Sequence, residues 1–109
     1  MKKLLLATVA SAAMATAVSA DDVKIGVFLG FTGPIESLVA QMGPGAEAAI
    51  AEVSASGSFM NGSTVTAIRA DTTCVDAGAA TAAAERLITS DKVSGIVGGD
   101  CSDVTTATL

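Results

Sequence analysis

The chain has 109 residues, half of them hydrophobic and 16% charged, and a formal net charge of -5. Eleven acidic residues outnumber six basic ones, which form no patch, so nucleic acid and anionic lipid are poor partners. With no histidine and only two cysteines, we expect neither a metal nor another cofactor.

The first twenty residues have the pattern of a secretory signal peptide. Two lysines precede an apolar stretch over residues 4–18, and small residues stand where a signal peptidase would cleave after Ala20. The apolar stretch is shorter than the ~18 residues of a membrane helix and contains three polar residues. We therefore expect residues 1–20 to be removed and residues 21–109, with a net charge of -7, to be exported.

Strands and helices alternate in the mature part. Apolar periodicity predicts strands over residues 23–31, 64–70 and 93–97, and helices from near Pro44 and from Asp76 to about Thr89. This order predicts an α/β fold: a parallel sheet with right-handed crossovers and helices on both faces.

The two helices are predicted from different signals. Pro44 suits a first helical position, so residues 35–42 are expected to be a loop or a single helical turn. Asp76 suits an N-cap, and mostly small residues then let the second helix lie close to the sheet. The apolar stripes are Ala46, Ala49, Ile50 and Val53 in the first helix, and Ala80, Ala83, Ala84 and Leu87 in the second.

Charged residues outside these stripes are expected in solvent. Glu47 would be favoured by the positive end of a helix that begins near Pro44. Glu85 and Arg86 are expected to be surface charges that contribute little individually to stability.

Residues 93–102 are the stretch where we expect function. The β-branched run is typical of a strand covered on both faces, and Gly98 and Gly99 supply the backbone freedom for a sharp turn. Ser102 or Asp103 can then cap a helix over residues 104–109. In open α/β sheets, small ligands bind at such a strand end and helix start.

Two polar residues of this turn are candidate ligand contacts. The Ser102 hydroxyl and free backbone N–H groups suit a carboxylate, although a helix cap alone explains a serine here equally well. Asp100 would repel an anion beside it, so it is expected to face solvent, cap the turn or meet a ligand's ammonium group.

The two cysteines lie in the exported part. An even count in an oxidising compartment favours a disulfide between Cys74 and Cys101, each of which follows a predicted strand. A metal site would need more ligands, and a reactive cysteine would need a basic neighbour.

Catalytic signals are mostly missing from these residues, so we do not expect an enzyme. Ser102 is outside a Gly-x-Ser-x-Gly turn, and no pair of carboxylates is spaced for acid–base chemistry. Residues 43–48 match the dinucleotide motif Gly-x-Gly-x-x-Ala, and Asp71 ends the next strand as a ribose-binding acid would. That alternative is weak, because the motif should directly follow the first strand, which ends a dozen residues earlier.

Several segments together resemble one known family, in their order and spacing. They are VKIGVFLGFTGP, GAEAAIAEVSASG, RADTTC, AAAERLITSDKVSGIVGG and DCS. The chain resembles the periplasmic leucine/isoleucine/valine-binding proteins of ABC transporters over residues 23–109. Because no stop signal ends the last predicted helix, we expect the chain to be the N-terminal part of a longer protein. The resemblance implies that this protein has two lobes and that residues 21–109 are part of the N-terminal one.

The resemblance also implies function and site residues. It implies capture of a branched-chain or related amino acid by a monomer that delivers it to a membrane permease. It places Ser102 against the bound amino acid, the bridged cysteines at Cys74 and Cys101, and Leu38 where some relatives have an aromatic residue. The alternatives are a receptor ectodomain or a secreted enzyme built on the same lobe.

Overall fold

The structure is a computed structural model, and it describes residues 21–109. The predicted signal peptide, residues 1–20, lies outside the described residues. The elements in order are β1 (Asp22–Leu29), α1 (Glu36–Ala55), a 3₁₀ turn (Phe59–Asn61), β2 (Thr64–Asp71), α2 (Ala77–Thr89), β3 (Gly95–Gly98) and α3 (Ser102–Thr108).

The three strands form one parallel sheet in the order β2-β1-β3. The β1–β2 ladder runs from Asp22 opposite Thr64 to Leu29 opposite Asp71, and the shorter β1–β3 ladder ends at Phe28 opposite Gly98. Helix α1 covers one face, while α2 and α3 cover the other. The predicted α/β architecture is therefore confirmed, and all three strands end at the same edge of the sheet.

Alternate side chains of β1 enter two separate cores, as the twofold periodicity of a strand requires. Val27 and Leu29 pack towards α1 with Val39, whereas Phe28 packs on the opposite face towards α2 and α3. Leu87 of α2 is fully buried in the second core. Burying one such side chain contributes about 1.5–3 kcal/mol.

Helix α2 has the N-cap and the apolar stripe that the sequence predicts. The Asp76 side chain accepts a hydrogen bond from the Ala79 backbone N–H at 2.9 Å, which satisfies one free donor of the first turn. Ala80, Ala84 and Leu87 are buried along the predicted stripe, and Ala83 packs beside them. The expected N-cap and apolar stripe are both confirmed.

The predicted start of the first helix was wrong. Helix α1 begins at Glu36 and passes through Pro44, which has no N–H to donate to the Ala40 carbonyl. Val39 and Gly43, one turn apart, are the buried residues of α1, so tertiary packing holds the turns before the proline in helical form. Of the predicted stripe, Ala46 and Ile50 pack against the core, whereas Ala49 and Val53 are exposed.

Strand β3 is not covered on both faces among the described residues, contrary to prediction. It is an outer strand of the sheet, with a neighbour on one side only among residues 21–109. Its Ile96 and Val97 are 41% and 51% exposed. The helices pack mainly over β1 and β2, which share the longer of the two ladders. A β-branched run does not reveal whether its strand is central or at an edge.

Two charges expected to be simply solvated make specific contacts. Because α1 starts early, Glu47 lies in mid-helix, where it forms a two-point ion pair with Arg69 of β2. The hydrogen bond from Arg69 lowers the pKa of Glu47. Arg86 binds Asp91 and donates a 2.8 Å hydrogen bond to the Arg69 carbonyl, so it joins α2 to β2.

The Arg69 guanidinium also lies over the ring of Phe31, 4.7 Å from its centroid. On another side, the Phe31 ring meets the backbone of Gly43, where an added Cβ would lie 2.7 Å from Cε1. Phe31 is thus confined between a cation and a helix backbone. This contact explains the buried glycine in α1.

Two glycines of α1 provide a matched test of this packing. We expect Gly45→Ala to stabilise the protein by about 1 kcal/mol, since alanine is the better helix former and no heavy atom lies within 4 Å of the added Cβ. Gly43→Ala should destabilise it, because overpacking costs about 1–3 kcal/mol and exceeds that gain. Urea unfolding of both variants measures the difference, and equal stabilisation by the two would contradict the Phe31 contact.

Candidate functional site

The candidate site is the edge where the three strands end. We call it the strand-end rim, defined as residues 30–35, 71–76 and 98–102. Its first two loops are in close contact: a Cβ added at Gly30 would lie 3.2 Å from Ile35 and 3.4 Å from the Cys74 Cβ. The rim is therefore a packed surface and not three separate loops.

The third segment of the rim turns sharply at two glycines, as predicted. Gly98 and Gly99 have φ angles of 142° and 86°, which are accessible to glycine at little cost. A Cβ at Gly98 would overlap the Phe28 carbonyl, and the Gly99 N–H donates to that same oxygen at 3.0 Å. The turn is thus folded directly against the end of β1.

A disulfide between Cys74 and Cys101 joins the second segment to the third, with Cα atoms 5.4 Å apart. The predicted bridge is confirmed. Thr73 and Cys74 have φ angles of 57° and 69°, in the left-handed region that non-glycine residues rarely occupy. Such conformations persist only where surrounding contacts hold them, and the bridge is one of those contacts.

Ser102 is the first residue of α3 and is exposed to solvent. The prediction that Ser102 or Asp103 caps this helix was wrong, because Cys101, in extended conformation, occupies the N-cap position without a side-chain hydrogen bond. The bridge and the glycine turn fix Cys101, so the helix starts one residue earlier than a serine cap would allow. The Ser102 hydroxyl has no hydrogen-bond partner among residues 21–109.

Asp100 is half-buried beside the ends of the other two strands. Its Oδ2 accepts a hydrogen bond from the Gly30 backbone N–H at 2.7 Å. Its Oδ1 accepts a longer one, at 3.4 Å, from the hydroxyl of the fully buried Thr72. The sequence leaves three roles open for Asp100: facing solvent, capping the turn or meeting an ammonium group. These contacts fit the second role.

Leu38 lies on a different element from the other candidates. It occupies the first turn of α1, and its side chain is 64% exposed. Asp100 and Cys101 lie in the turn before α3, Ser102 is the first residue of α3, and Cys74 is bonded to Cys101. Within residues 21–109, no hydrogen bond or disulfide joins the first turn of α1 to that turn.

Asp71 is a rim residue whose role was missed. It accepts hydrogen bonds from the hydroxyl and the N–H of Thr32 and from the N–H of Thr73, and so fastens the β1 loop to the end of β2. Partial burial raises its pKa, but these hydrogen bonds outweigh burial and lower the pKa. An aspartate followed by two threonines at a strand end is the local signal of such a turn.

The dinucleotide alternative fails on position. The glycine motif at residues 43–48 lies inside α1, where most of its N–H groups belong to the helix, and not in a turn after β1. The Asp71 carboxylate, which would have to bind the ribose, already accepts hydrogen bonds from Thr32 of the β1 loop. In the described part of the chain, no group of three or more acidic or cysteine side chains could hold a metal ion.

A cavity of about 440 Å³ lies against the end of α1, near Glu52 and Phe59. Since α1 runs antiparallel to the strands, this cavity is at the opposite edge of the sheet from the rim.

Between residues 21 and 109, no helix is both long and apolar enough to cross a membrane.

The chain belongs to the periplasmic binding protein family, whose model matches residues 22–109. Its fold also matches solved structures of amino-acid-binding proteins. One is LivJ of Streptococcus pneumoniae, a branched-chain amino acid transporter substrate-binding protein solved with isoleucine, at 26% identity and a TM-score of 0.72 over 81% of this chain. A second is LivK, a leucine-binding protein of Thermotoga maritima, at 30% identity and a TM-score of 0.67 over 79% of this chain.

A third structure is a possible leucine/isoleucine/valine-binding protein of Rhodopirellula baltica, at 21% identity and a TM-score of 0.69 over 86% of this chain, which supports the fold. The chain spans about a quarter of each of these structures, namely 25%, 23% and 25% of their lengths. No match was found among curated proteins.

The disulfide should stabilise the protein by limiting the unfolded chain. For the 27-residue separation of Cys74 and Cys101, the chain-entropy model gives about 3.5 kcal/mol. We expect reductant to lower the urea midpoint of the wild type by a corresponding amount. The double variant Cys74→Ala/Cys101→Ala is the control and should not respond to reductant. A wild type equally insensitive to reductant would mean that the bridge does not form.

Asp71 should make stability depend on pH. Its folded-state pKa is lowered, so its contribution is present above the unfolded-state pKa of about 3.9 and is lost as pH falls through the lower folded-state pKa. We expect Asp71→Asn to destabilise the protein at neutral pH and to differ progressively less from wild type in acid. Urea unfolding between neutral pH and the acid range measures this. A difference that stays constant with pH would contradict the role of the carboxylate.

Proposed function

We propose that this chain belongs to the substrate-binding component of an ABC transporter that captures a branched-chain or closely related amino acid in the periplasm. Residues 1–20 would be its signal peptide, and residues 21–109 part of the N-terminal lobe of the ligand-binding domain. Membership of the periplasmic binding protein family and similarity to LivJ, which was solved with isoleucine, support this proposal.

The observation that carries the proposal is the exposed hydroxyl of Ser102 at the rim, which has no hydrogen-bond partner within residues 21–109. It stands at the start of α3, where the first N–H groups of a helix lack intrahelical acceptors. A hydroxyl and several N–H groups at one point suit the carboxylate of an amino acid, which the helix dipole also favours. The disulfide beside Ser102 would hold these donors in place before the ligand arrives.

The other two proposed site residues would act around that anchor. Leu38, exposed on α1, offers an apolar surface to the side chain of the ligand, and Asp100 belongs to the same turn as Ser102. A second lobe would supply the remaining contacts and close over the ligand by hinge motion, after which a membrane permease would receive it. Capture and release of the ligand by this protein make and break no covalent bond, so the proposal is a binding protein and not an enzyme. We also propose that the whole protein is a monomer.

A thermal-shift screen of amino acids on the whole protein tests the proposal. A ligand at 100 times its Kd stabilises the folded state by about 2.7 kcal/mol, which is several degrees in Tm. We expect leucine, isoleucine or valine to produce such a shift. A protein that none of the amino acids stabilises would overturn the proposal. A membrane span or a catalytic module elsewhere in the whole protein would favour a receptor or a secreted enzyme instead.

Ser102→Ala should then weaken binding of the amino acid found in that screen by about 1–3 kcal/mol, because part of the buried ligand carboxylate loses its donor. Calorimetric titration measures the change in affinity. Ser90→Ala is the matched control, since Ser90 is an exposed serine at the end of α2, on the opposite edge of the sheet. Equal affinities for the Ser102 and Ser90 variants would reduce Ser102 to a helix-start residue without contact to the ligand.

A further inference from the structure

Asp100 occupies the point at which the ends of all three strands meet. It follows β3 and accepts hydrogen bonds from Gly30, just after β1, and from Thr72, just after β2. Thr72 is completely buried, and its hydroxyl also accepts a 3.2 Å hydrogen bond from the Cys74 N–H. One carboxylate therefore connects three segments that lie far apart in the sequence.

Both oxygens of this carboxylate are engaged within the protein. Oδ2 receives the 2.7 Å bond from a backbone donor, a length typical of a strong bond to an ionised acceptor. Oδ1 receives the weaker 3.4 Å bond from Thr72. These contacts hold the charge against the sheet edge, whereas a free carboxylate two residues from Ser102 would repel the carboxylate of a ligand.

The turn that carries Ser102 needs such a fastening. Gly98 and Gly99 precede Asp100 and give the backbone more freedom than other residues would. The Gly99 N–H is bound to Phe28, and Cys101 is bonded to Cys74, so Asp100 lies between two fixed points. Its side chain adds a further contact between this turn and the ends of β1 and β2.

We propose that Asp100 is a positioning residue of the ligand site, which fixes Ser102 by tying the β3–α3 turn to the ends of β1 and β2. In this role it acts through Ser102 and does not meet the ligand's ammonium group. The inference rests on the proposed function as far as the ligand is concerned. The tie between Asp100, Gly30 and Thr72 is independent of any ligand.

Two substitutions separate positioning from direct contact. Asp100→Ala removes both hydrogen bonds, and we expect L-isoleucine to bind about tenfold more weakly. Asp100→Asn removes the charge but keeps the geometry: its carbonyl accepts from Gly30, and its amide donates to the Thr72 hydroxyl, which has acceptor capacity left. We expect this variant to bind within about threefold of wild type, since positioning requires the hydrogen bonds and not the charge. An ammonium contact would instead make Asp100→Asn as weak as Asp100→Ala, which would overturn the proposal.

A double-mutant cycle tests whether Asp100 acts through Ser102. In calorimetric titrations of the whole protein with L-isoleucine, adding Asp100→Ala to Ser102→Ala should cause little further loss of affinity. Fully additive losses would contradict a role through Ser102. Glu85→Ala is the charge-matched control, because Glu85 is an exposed carboxylate on α2, and it should bind as wild type does. Should Asp100→Ala not fold, as judged by circular dichroism, Thr72→Val removes the bond to Oδ1 together with the one from the Cys74 N–H, and it should weaken binding in the same direction.

Hydrogen exchange provides a readout that needs no ligand. Without amino acid, Asp100→Ala should speed amide exchange at least about tenfold at Gly99 and Thr105, whose N–H groups are hydrogen-bonded to the Phe28 and Cys101 carbonyls, while Asp100→Asn and Glu85→Ala leave it near the wild-type rate. Unchanged exchange in Asp100→Ala would overturn the positioning role, even if the wild type bound none of the amino acids. Absence of binding by the wild type alone would overturn only the proposed function.

Discussion

The parallel pairing of β1 with a strand on each side is the constraint on which the rest of the structure depends. Because β1 is central, its alternate side chains supply both cores, and its carboxyl end lies between the ends of β2 and β3. Loops separated by up to 70 residues are thereby brought within hydrogen-bond distance, as Gly30 and Asp100 are. The disulfide and the two aspartates, Asp71 and Asp100, then act on loops that the sheet has already placed together. The order of the strands brings the rim segments together, and the contacts among those segments then hold them in place.

Local signals in the sequence predicted what local physics determines. Apolar periodicity located the strands, the side chain of Asp76 marked the start of α2, and Gly98 and Gly99 marked a turn that needs positive φ angles. The bridge between Cys74 and Cys101 was also predictable, since the expected oxidising compartment and the even count of cysteines leave few alternatives. Each of these features depends on neighbours in the sequence, except the disulfide, for which the sequence offers a single pair of cysteines.

Features that depend on tertiary neighbours were not predictable in the same way. Pro44 is a good start signal, yet burial of the preceding turn of α1 overrides it. The exposure of β3 follows from its position at the sheet edge, which the order of strands along the chain does not reveal. The partners of Arg86 and Asp100 come from segments distant in sequence, so a single sequence cannot assign them. An aspartate at position 100 could bind a ligand or hold the turn, and its residue type does not tell which. The hydrogen bonds from Gly30 and Thr72 are what favour the second role.

The contact between Phe31 and Gly43 has a consequence for how such sequences can change over time. The ring fills the space that a side chain at residue 43 would take, and Arg69 limits its retreat on another side. A larger residue at position 43 is therefore tolerable only after position 31 has become smaller, because the reverse order of changes passes through the clash. Mutational paths through this pair are directional, and the intermediate that carries both bulky residues is the one that selection would remove.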